Sequence, residues 1–394
     1  MRSFRGTTIY IFKTRQANAI IGWATVNGTE TQSETAEHST KGVVLAGGRG
    51  TRLRPFSYAT TKHLVPLANK PLLEYIIENL KAAGITEIGI VIGNPSADVV
   101  RSYVGDGSRF GVDVTYIHQG EPLGLAHAVG CAEPFVGDDP FVVYFGDTIV
   151  DVDVMGRLVN RFDPAKHAAA LPLQEVDEPS RFGVVEMADG EIVRIHEKPD
   201  DPPSNLAYMG VLALTPVIFE YIDGLEPSDR GELELTDALD ALVGGGEPIE
   251  YHVEDGLWKD VGTPPDVVET NRILLEERER RIDGTVEEGA TVTGRVVLEP
   301  GAVVESGSTV RGPAAIGANT RIERGASVGP YASIGEGCTV AKASIESSVV
   351  FDDVTVRKDE YVVDSILGSG VELTNGSTEE GTQYILGYDA RRAD

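Results

Sequence analysis

Residues 42–71 read GVVLAGGRGTRLRPFSYATTKHLVPLANKP. A short apolar run, Val43, Val44 and Leu45, feeds a loop in which Gly47, Gly48 and Gly50 let backbone N–H groups approach an anion with no Cβ in the way. Arg52 and Lys62 add positive charge beside it. That combination suits the phosphates of a nucleoside triphosphate. It is not the dinucleotide fingerprint, because the G-x-G-x-x-G begun at Gly48 and Gly50 meets Leu53 at its last place, and it is not a P-loop, because no Gly-Lys-Ser/Thr follows Gly47. Two aspartates stand where a cation could be held. Asp147 follows the apolar run Phe141–Phe145 and Gly146, and Asp260 sits just before Val261-Gly262. Mg2+ is commonly bound by one or two carboxylates plus substrate phosphates; taken singly, each aspartate is equally an ordinary turn residue. Gln119 and Gly124, in the polar stretch QGEPLGLA, supply a donor, an acceptor and uncovered backbone, which match the imide edge of uracil or thymine.

The order G-G-x-G-T-R-L-x-P from Gly47, followed by K-x-L-x-P-x-x-x-K-P from Lys62, resembles the signature of the sugar-phosphate nucleotidylyltransferases. Within them it is most similar to the long form of the glucose-1-phosphate thymidylyltransferases. The likeness runs from about Lys41 to the end of the chain. It implies a nucleotide site made of Leu45, Gly47, Gly48, Gly50, Thr51, Arg52, Gln119 and Gly124, and a metal site for Mg2+ made of Asp147 and Asp260. It implies a sugar-phosphate side made of Gly183, Glu197 and Lys198, with Glu232 as a further candidate. Glu197-Lys198 alone would read as a solvated surface pair. Thr148 follows Asp147 where relatives often carry Asn, and His63 follows Lys62 where they frequently carry Gln.

The reaction so implied is attack by an oxygen of glucose-1-phosphate on the α-phosphorus of dTTP, with pyrophosphate leaving in line. A phosphate monoester, with its second pKa near 6, is already mostly dianionic at neutral pH, so no general base is required. Catalysis then reduces to positioning and charge neutralisation. Arg52, Lys62, Asp147 and Asp260 are the expected catalytic set, with Arg52 and Mg2+ on the pyrophosphate side, Lys62 on the α-phosphate and Lys198 on the nucleophile. UTP in place of dTTP is the near alternative. A non-catalytic sensor of nucleotide sugars is the alternative of another class, and the five charged groups argue against it.

Elements must bring these residues together. From Lys41 to about Asp260, short apolar runs alternate with helical patterns, Pro71–Ala83 and Val99–Val104 among them, which is the rhythm of a mostly parallel, Rossmann-like α/β sheet. Ligands in such sheets bind at the carboxyl ends of the strands. A helix is expected from Thr263, with Pro264 and Pro265 in its first turn. Beyond it an aliphatic residue recurs at every sixth place from Val286 through Val292, Leu298 and onward to Val340, and the pattern resumes out of phase at Val350, Val356 and Val362. That period predicts a left-handed parallel β-helix of hexapeptide repeats, three hexads to a coil. The expected division is a poorly ordered extension over 1–40, a nucleotidyltransferase domain over 41–262, a linker helix over 263–282, the β-helix over 283–376 and a tail over 377–394. No histidine follows His252, so the β-helix lacks the residue for histidine-based acyl transfer and reads as structural, oligomerising or regulatory.

Composition narrows the partners. Among 394 residues, 62 acidic against 34 basic give a net charge of −28. Such a surface repels nucleic acid polymers and anionic membranes. With only 10 of the 34 basic residues being lysine, it also fits a protein bathed in concentrated salt, and a halophilic source is expected. Two distant cysteines, Cys131 and Cys338, form no disulfide framework, so a reducing cytoplasm is the expected setting. A homo-oligomer is expected as well. The seven histidines show no metal-ligand spacing and read mostly as loop or surface residues.

Overall fold

The structure is a computed structural model that describes residues 39–48, 50–58, 61–94, 97–374 and 381–390. The expected extension over 1–40 lies outside the described residues but for its last two. One sheet of ten strands forms the framework. Lys41–Ala46 lies between Glu87–Ile92 and Phe141–Phe145, parallel to both, and Asp113–His118 continues the parallel half beyond Glu87–Ile92. The inner strands of this half are apolar on both faces because helices cover both: Val43 and Val44 have no exposed surface. Past Phe141–Phe145 the sheet turns antiparallel through Val211–Leu214, Ala169–Glu175, Leu206–Tyr208, Gly183–Ala188 and Glu191–Glu197, with Ile249–Val253 returning parallel to Ala169–Glu175. The parallel rhythm therefore describes the half that carries the glycine loop.

The helix Leu72–Ala82 shows how sequence sets a local element here. Leu72, Leu73, Ile76, Ile77 and Leu80 fall on one buried face, and Gly84, at φ 86, ends it by donating to Lys81 O at 2.9 Å. The linker helix spans Pro264–Glu277, and Asp266 accepts from the Thr263 N–H at 2.7 Å. It stops where Glu276–Arg281 leaves no apolar residue to bury. Among the described residues no helix is long and apolar enough to cross a membrane.

Beyond it, three parallel sheets of seven, six and five strands wind as the left-handed β-helix. Val286 pairs with Val304, Val304 with Ile322 and Ile322 with Val340, a repeat of three hexads per coil. The phase shift also has a physical form: Val328 pairs with Ile345 and Ile334 with Val350, so that coil is shorter than those before it and the later rungs follow in the new register. Of the tail expected over 377–394, residues 381–390 are described. Ile385–Leu386 adds a seventh strand, parallel to Ile366–Leu367, and Leu386 packs against the coil core.

The β-helix is packed against the sheet half. Asn271 Oδ1 accepts from Ala68 N–H at 2.7 Å and from Ser333 Oγ at 2.9 Å, while Asn69 Nδ2 donates to Ile334 O at 2.7 Å. Phe56, from the stretch between Arg52 and Lys62, lies 5.7 Å from the Phe351 ring. The coils thus form the floor under the loop that carries the candidate phosphate-binding residues.

Candidate active site

The carboxyl ends of the four parallel strands open on one edge, and the sequence puts polar residues there. Lys41–Ala46 runs into Gly47 and Gly48, Asp113–His118 into Gln119, and Phe141–Phe145 into Gly146-Asp147. The Gly146 N–H donates to Leu45 O at 3.1 Å, which fixes the aspartate turn against the glycine loop. Lys62, on a short 3-10 turn at Lys62–Leu64, forms an ion pair with Asp147 and passes beside Gly48. Gln119 is buried and lies against Gly47, with its amide nitrogen donating to Gly124 O at 3.2 Å and to His127 Nδ1 at 3.4 Å.

Asp147 and Asp260 lie on neighbouring chain segments. The strand Trp258–Asp260 pairs antiparallel with Thr148–Val150, in a register that sets Asp260 opposite Thr148. Val261 N–H donates to Asp147 O at 2.7 Å, and Thr148 Oγ1 donates to Asp260 Oδ1 at 2.7 Å. The threonine is therefore the link between the two acidic segments. Burial works to raise Asp147, but the Lys62 ammonium outweighs it and holds the carboxyl below its usual range. Asp260 goes the other way. Desolvation first, and then the Asp147 charge, push it up to about 6. Its outer surface is open to solvent.

This pair can be tested for fit to a metal. Lys62 pairs with Asp147, while among the described residues Asp260 forms no salt bridge, so the pair has room for added positive charge. The donors are hard oxygens with no Cys or His, which suits Mg2+ or Mn2+ rather than zinc. Among the described residues no group of three or more metal-ligating side chains occurs. Two carboxylates plus phosphate oxygens of a substrate make a set that fits.

A second cluster gathers around Glu197. Lys198 Nζ donates to it at 2.7 Å, Arg230 at 3.0 Å and Thr236 Oγ1 at 2.5 Å. Burial would raise this carboxyl, but Lys198 first, then Thr236 and Arg230, hold it below the usual range. Arg230 also grips Glu234 at 2.7 Å. Lys198 N–H donates to Phe182 O at 3.0 Å, and the Phe182 ring lies 5.0 Å from Trp258, two residues from Asp260. On the other flank, Leu233 N–H donates to Leu123 O at 2.7 Å, tying the Arg230 segment to the Gln119–Gly124 turn. The contacts thus close a ring: glycine loop, Gln119 turn, Arg230 segment, Glu197-Lys198, Trp258–Asp260, Asp147, Lys62, and back to the loop.

Several residues differ from the sequence reading. Gly124, at φ 122, has its missing Cβ replaced by Leu233 O, 2.3 Å from where that carbon would stand, and at Gly183 the intruder is the Tyr208 ring at 2.1 Å. At both positions a side chain would run into protein. Glu232 is exposed with its carbonyl turned to Ser228 N–H, and the buried acid of that run is Glu234. Thr51 and Arg52 are exposed on the loop. His63 and His252 are buried, against the expectation of loop or surface positions. His63 bonds Thr61 through Nδ1 at 2.6 Å, and burial, then Lys62, lower its pKa to about 3, so it stands neutral beneath the site. Arg230, Thr236 and His127 escaped sequence reasoning, and Thr148 is marked there only as standing where relatives often carry Asn. Of the first three only Arg230 carried a signal, the dense charge of the run RGELE.

The nucleotidyl transferase family model matches residues 41–277, and the GMPPB C-terminal domain model matches residues 310–393. A low-salt glycan biosynthesis nucleotidyltransferase, Agl11 of Haloferax volcanii, is 48% identical over 89% of this chain and 99% of its own length. A glucose-1-phosphate thymidylyltransferase of Streptomyces antibioticus is 43% identical over 88% of this chain and 97% of its own. A crystal structure of UDP-glucose pyrophosphorylase complexed with UDP-glucose superposes with a TM-score of 0.56 at 27% identity, covering 61% of this chain and 100% of that one.

Proposed function

This chain belongs to the sugar-phosphate nucleotidyltransferases, and from that premise we propose that it joins dTTP and glucose-1-phosphate into dTDP-glucose and pyrophosphate. The observation that supports the reading is the closed ring of contacts, which links two acidic segments, a glycine loop and a cationic cluster. Asp147 and Asp260 would hold Mg2+ together with substrate phosphates. A bound Mg2+ supplies Lewis-acid neutralisation of the charge on the transferring and leaving phosphates.

The chain's own groups take the remaining tasks. Lys62 neutralises the α-phosphate, and Arg52, exposed on the loop, reaches the pyrophosphate. Lys198 and Arg230 hold the phosphate of the sugar so that its oxygen faces the α-phosphorus in line, and Glu197 accepts from sugar hydroxyls. Gln119 reads the base. No proton needs to be removed from the dianionic nucleophile, which agrees with a His63 that is buried and neutral.

UTP is the competing nucleotide, favoured by the UDP-glucose pyrophosphorylase likeness. The two bases differ by one methyl group, about 0.8 kcal/mol when buried, or roughly fourfold in preference. Pyrophosphate release from dTTP, UTP, GTP, CTP and ATP, each with several hexose-1-phosphates, tests the reading directly. The highest kcat/KM is expected with dTTP and glucose-1-phosphate, and turnover confined to UTP would move the assignment. Asp147→Ala and Asp260→Ala should each cut Mg2+-dependent turnover by at least about a hundredfold, since metal stabilisation contributes several kcal/mol, with unchanged circular dichroism. Wild-type rates in either variant would remove the metal assignment.

A further inference from the structure

The seventh strand of the β-helix repeats the coil before it closely. Ser365-Ile366-Leu367-Gly368-Ser369 is followed by Tyr384-Ile385-Leu386-Gly387-Tyr388, paired so that Leu386 is the partner of Leu367. Gly368 and Gly387 end a column at one corner of the coils, Gly317, Gly335, Phe351, Gly368 and Gly387, each directly after a paired core residue. Stacking demands glycine there, because a Cβ on Gly317, Gly335 or Gly368 would stand 2.5, 2.6 or 2.8 Å from the backbone of the next coil. Gly387 is different. A Cβ on it would meet Pro55, 3.1 Å from its Cβ and 3.3 Å from its Cγ, in the loop between Arg52 and Lys62. Tyr388 is the second departure, an aromatic residue where the preceding coil carries Ser369. Leu386 packs in the core of the coils, but Tyr388 packs at the edge of the sheet half's core and meets Phe351, the ring on which Phe56 rests.

Coil stacking accounts for Leu386 but not for these two contacts, since a serine completes the same register one coil earlier. An aromatic ring that leaves the coil to meet the loop side buries apolar surface against the segment that carries Arg52. We propose that Gly387 and Tyr388 are positioning residues for the triphosphate-binding loop. Leu386 anchors the strand in the coils, and the two residues after it set the height of Pro55 and Phe56, so that Arg52 meets the pyrophosphate. Gly387 must stay small for Pro55 to seat, and the Tyr388 ring backs Phe351 under Phe56. The role in nucleotide binding rests on the proposed reaction; the contact between tail and loop does not. Because Lys198 and Arg230 stand on other segments of the ring, the tail should act on the nucleotide and leave the sugar phosphate untouched.

Two variants of the full chain test this: Tyr388→Ser, which copies the preceding coil, and Gly387→Val, which drives a side chain into Pro55 and stands in if the first fails to fold. Each should raise KM for dTTP about tenfold, short of the roughly hundredfold that about 1 Å of misplacement costs, while KM for glucose-1-phosphate stays within about twofold. Tyr388→Phe keeps the ring and should match the wild type; a loss equal to that of Tyr388→Ser would overturn the role of the ring. Trypsin reads the loop with no substrate present. Nicking after the exposed Arg52 should be several-fold faster in Tyr388→Ser and Gly387→Val than in the wild type. A lowered melting temperature with both KM values and the nicking rate unchanged would show a merely structural tail and overturn the proposal, as would an equal rise in both KM values. Faster nicking in the variants of a chain whose wild type turns over no sugar phosphate would keep the tail's hold on the loop and sink the transferase reading instead.

Discussion

Asp260 forms no salt bridge among the described residues, and its raised pKa sets its pH behaviour. Its folded pKa of about 6 stands above the ordinary carboxylate value, so the folded chain binds this proton more tightly than the unfolded chain. Its stabilising contribution is full below about pH 4 and is lost as the pH rises through about 6. In metal-free buffer Asp260→Asn, which imitates the protonated form, should therefore melt higher than the wild type at about pH 8, with the gap closing by about pH 4. A gap that does not change with pH would mean the two carboxylates are not coupled. Because Asp260 is open to water, the effect should be smaller than a buried pair would give. His127 offers a second test. By accepting from the Gln119 amide at 3.4 Å it holds that side chain in one orientation. His127→Leu should raise KM for dTTP about fivefold, the worth of roughly one hydrogen bond, with kcat within about twofold. An unchanged KM would remove His127 from base recognition.

At the scale of elements, the loop that carries Arg52 and Lys62 has little secondary structure of its own beyond single 3-10 turns. Its position comes from what lies beneath. Phe56 is buried against Phe351, which in turn meets Tyr388 edge-on at 6.1 Å, so residues about three hundred positions downstream set the height of the loop. Phe56→Ala should destabilise the protein by about 3–5 kcal/mol through the cavity it leaves and should also depress kcat/KM, read by a melting curve and the pyrophosphate assay. A lowered melting temperature with unaltered kcat/KM would show that the stack supports the fold but not the loop. The short strand pair Thr148–Val150 and Trp258–Asp260 has the same character: three residues a side, unremarkable alone, yet it sets which acids become neighbours.

Over the whole molecule the net charge of −28 opposes compaction. Raising KCl from about 0.1 M to about 2 M shortens the screening length to a few ångströms and should raise the melting temperature. A melting temperature that falls or stays level would show that local ion pairs such as Arg157 with Glu254 and Arg161 with Glu250 already absorb the repulsion.

The β-helix and its register were written in the chain, because a six-residue aliphatic period admits few other structures and each coil repeats the test; even the phase slip after Val340 is visible there. The glycine loop, the paired aspartates, Gln119 and the Glu197-Lys198 pair could likewise be singled out from residue type and spacing. Tertiary structure alone decided the rest. Arg230, Thr236 and Thr148 reach the ring through contacts spanning 33, 39 and 112 positions, distances over which no local pattern operates. The glycines at 124 and 183 answer to Leu233 and Tyr208, and the tail joins the solenoid because Ile366–Leu367 would otherwise present an open strand edge. Periodicity fixes which elements form, since it reports which faces must be buried; which side chains then meet is a matter of how those faces pack.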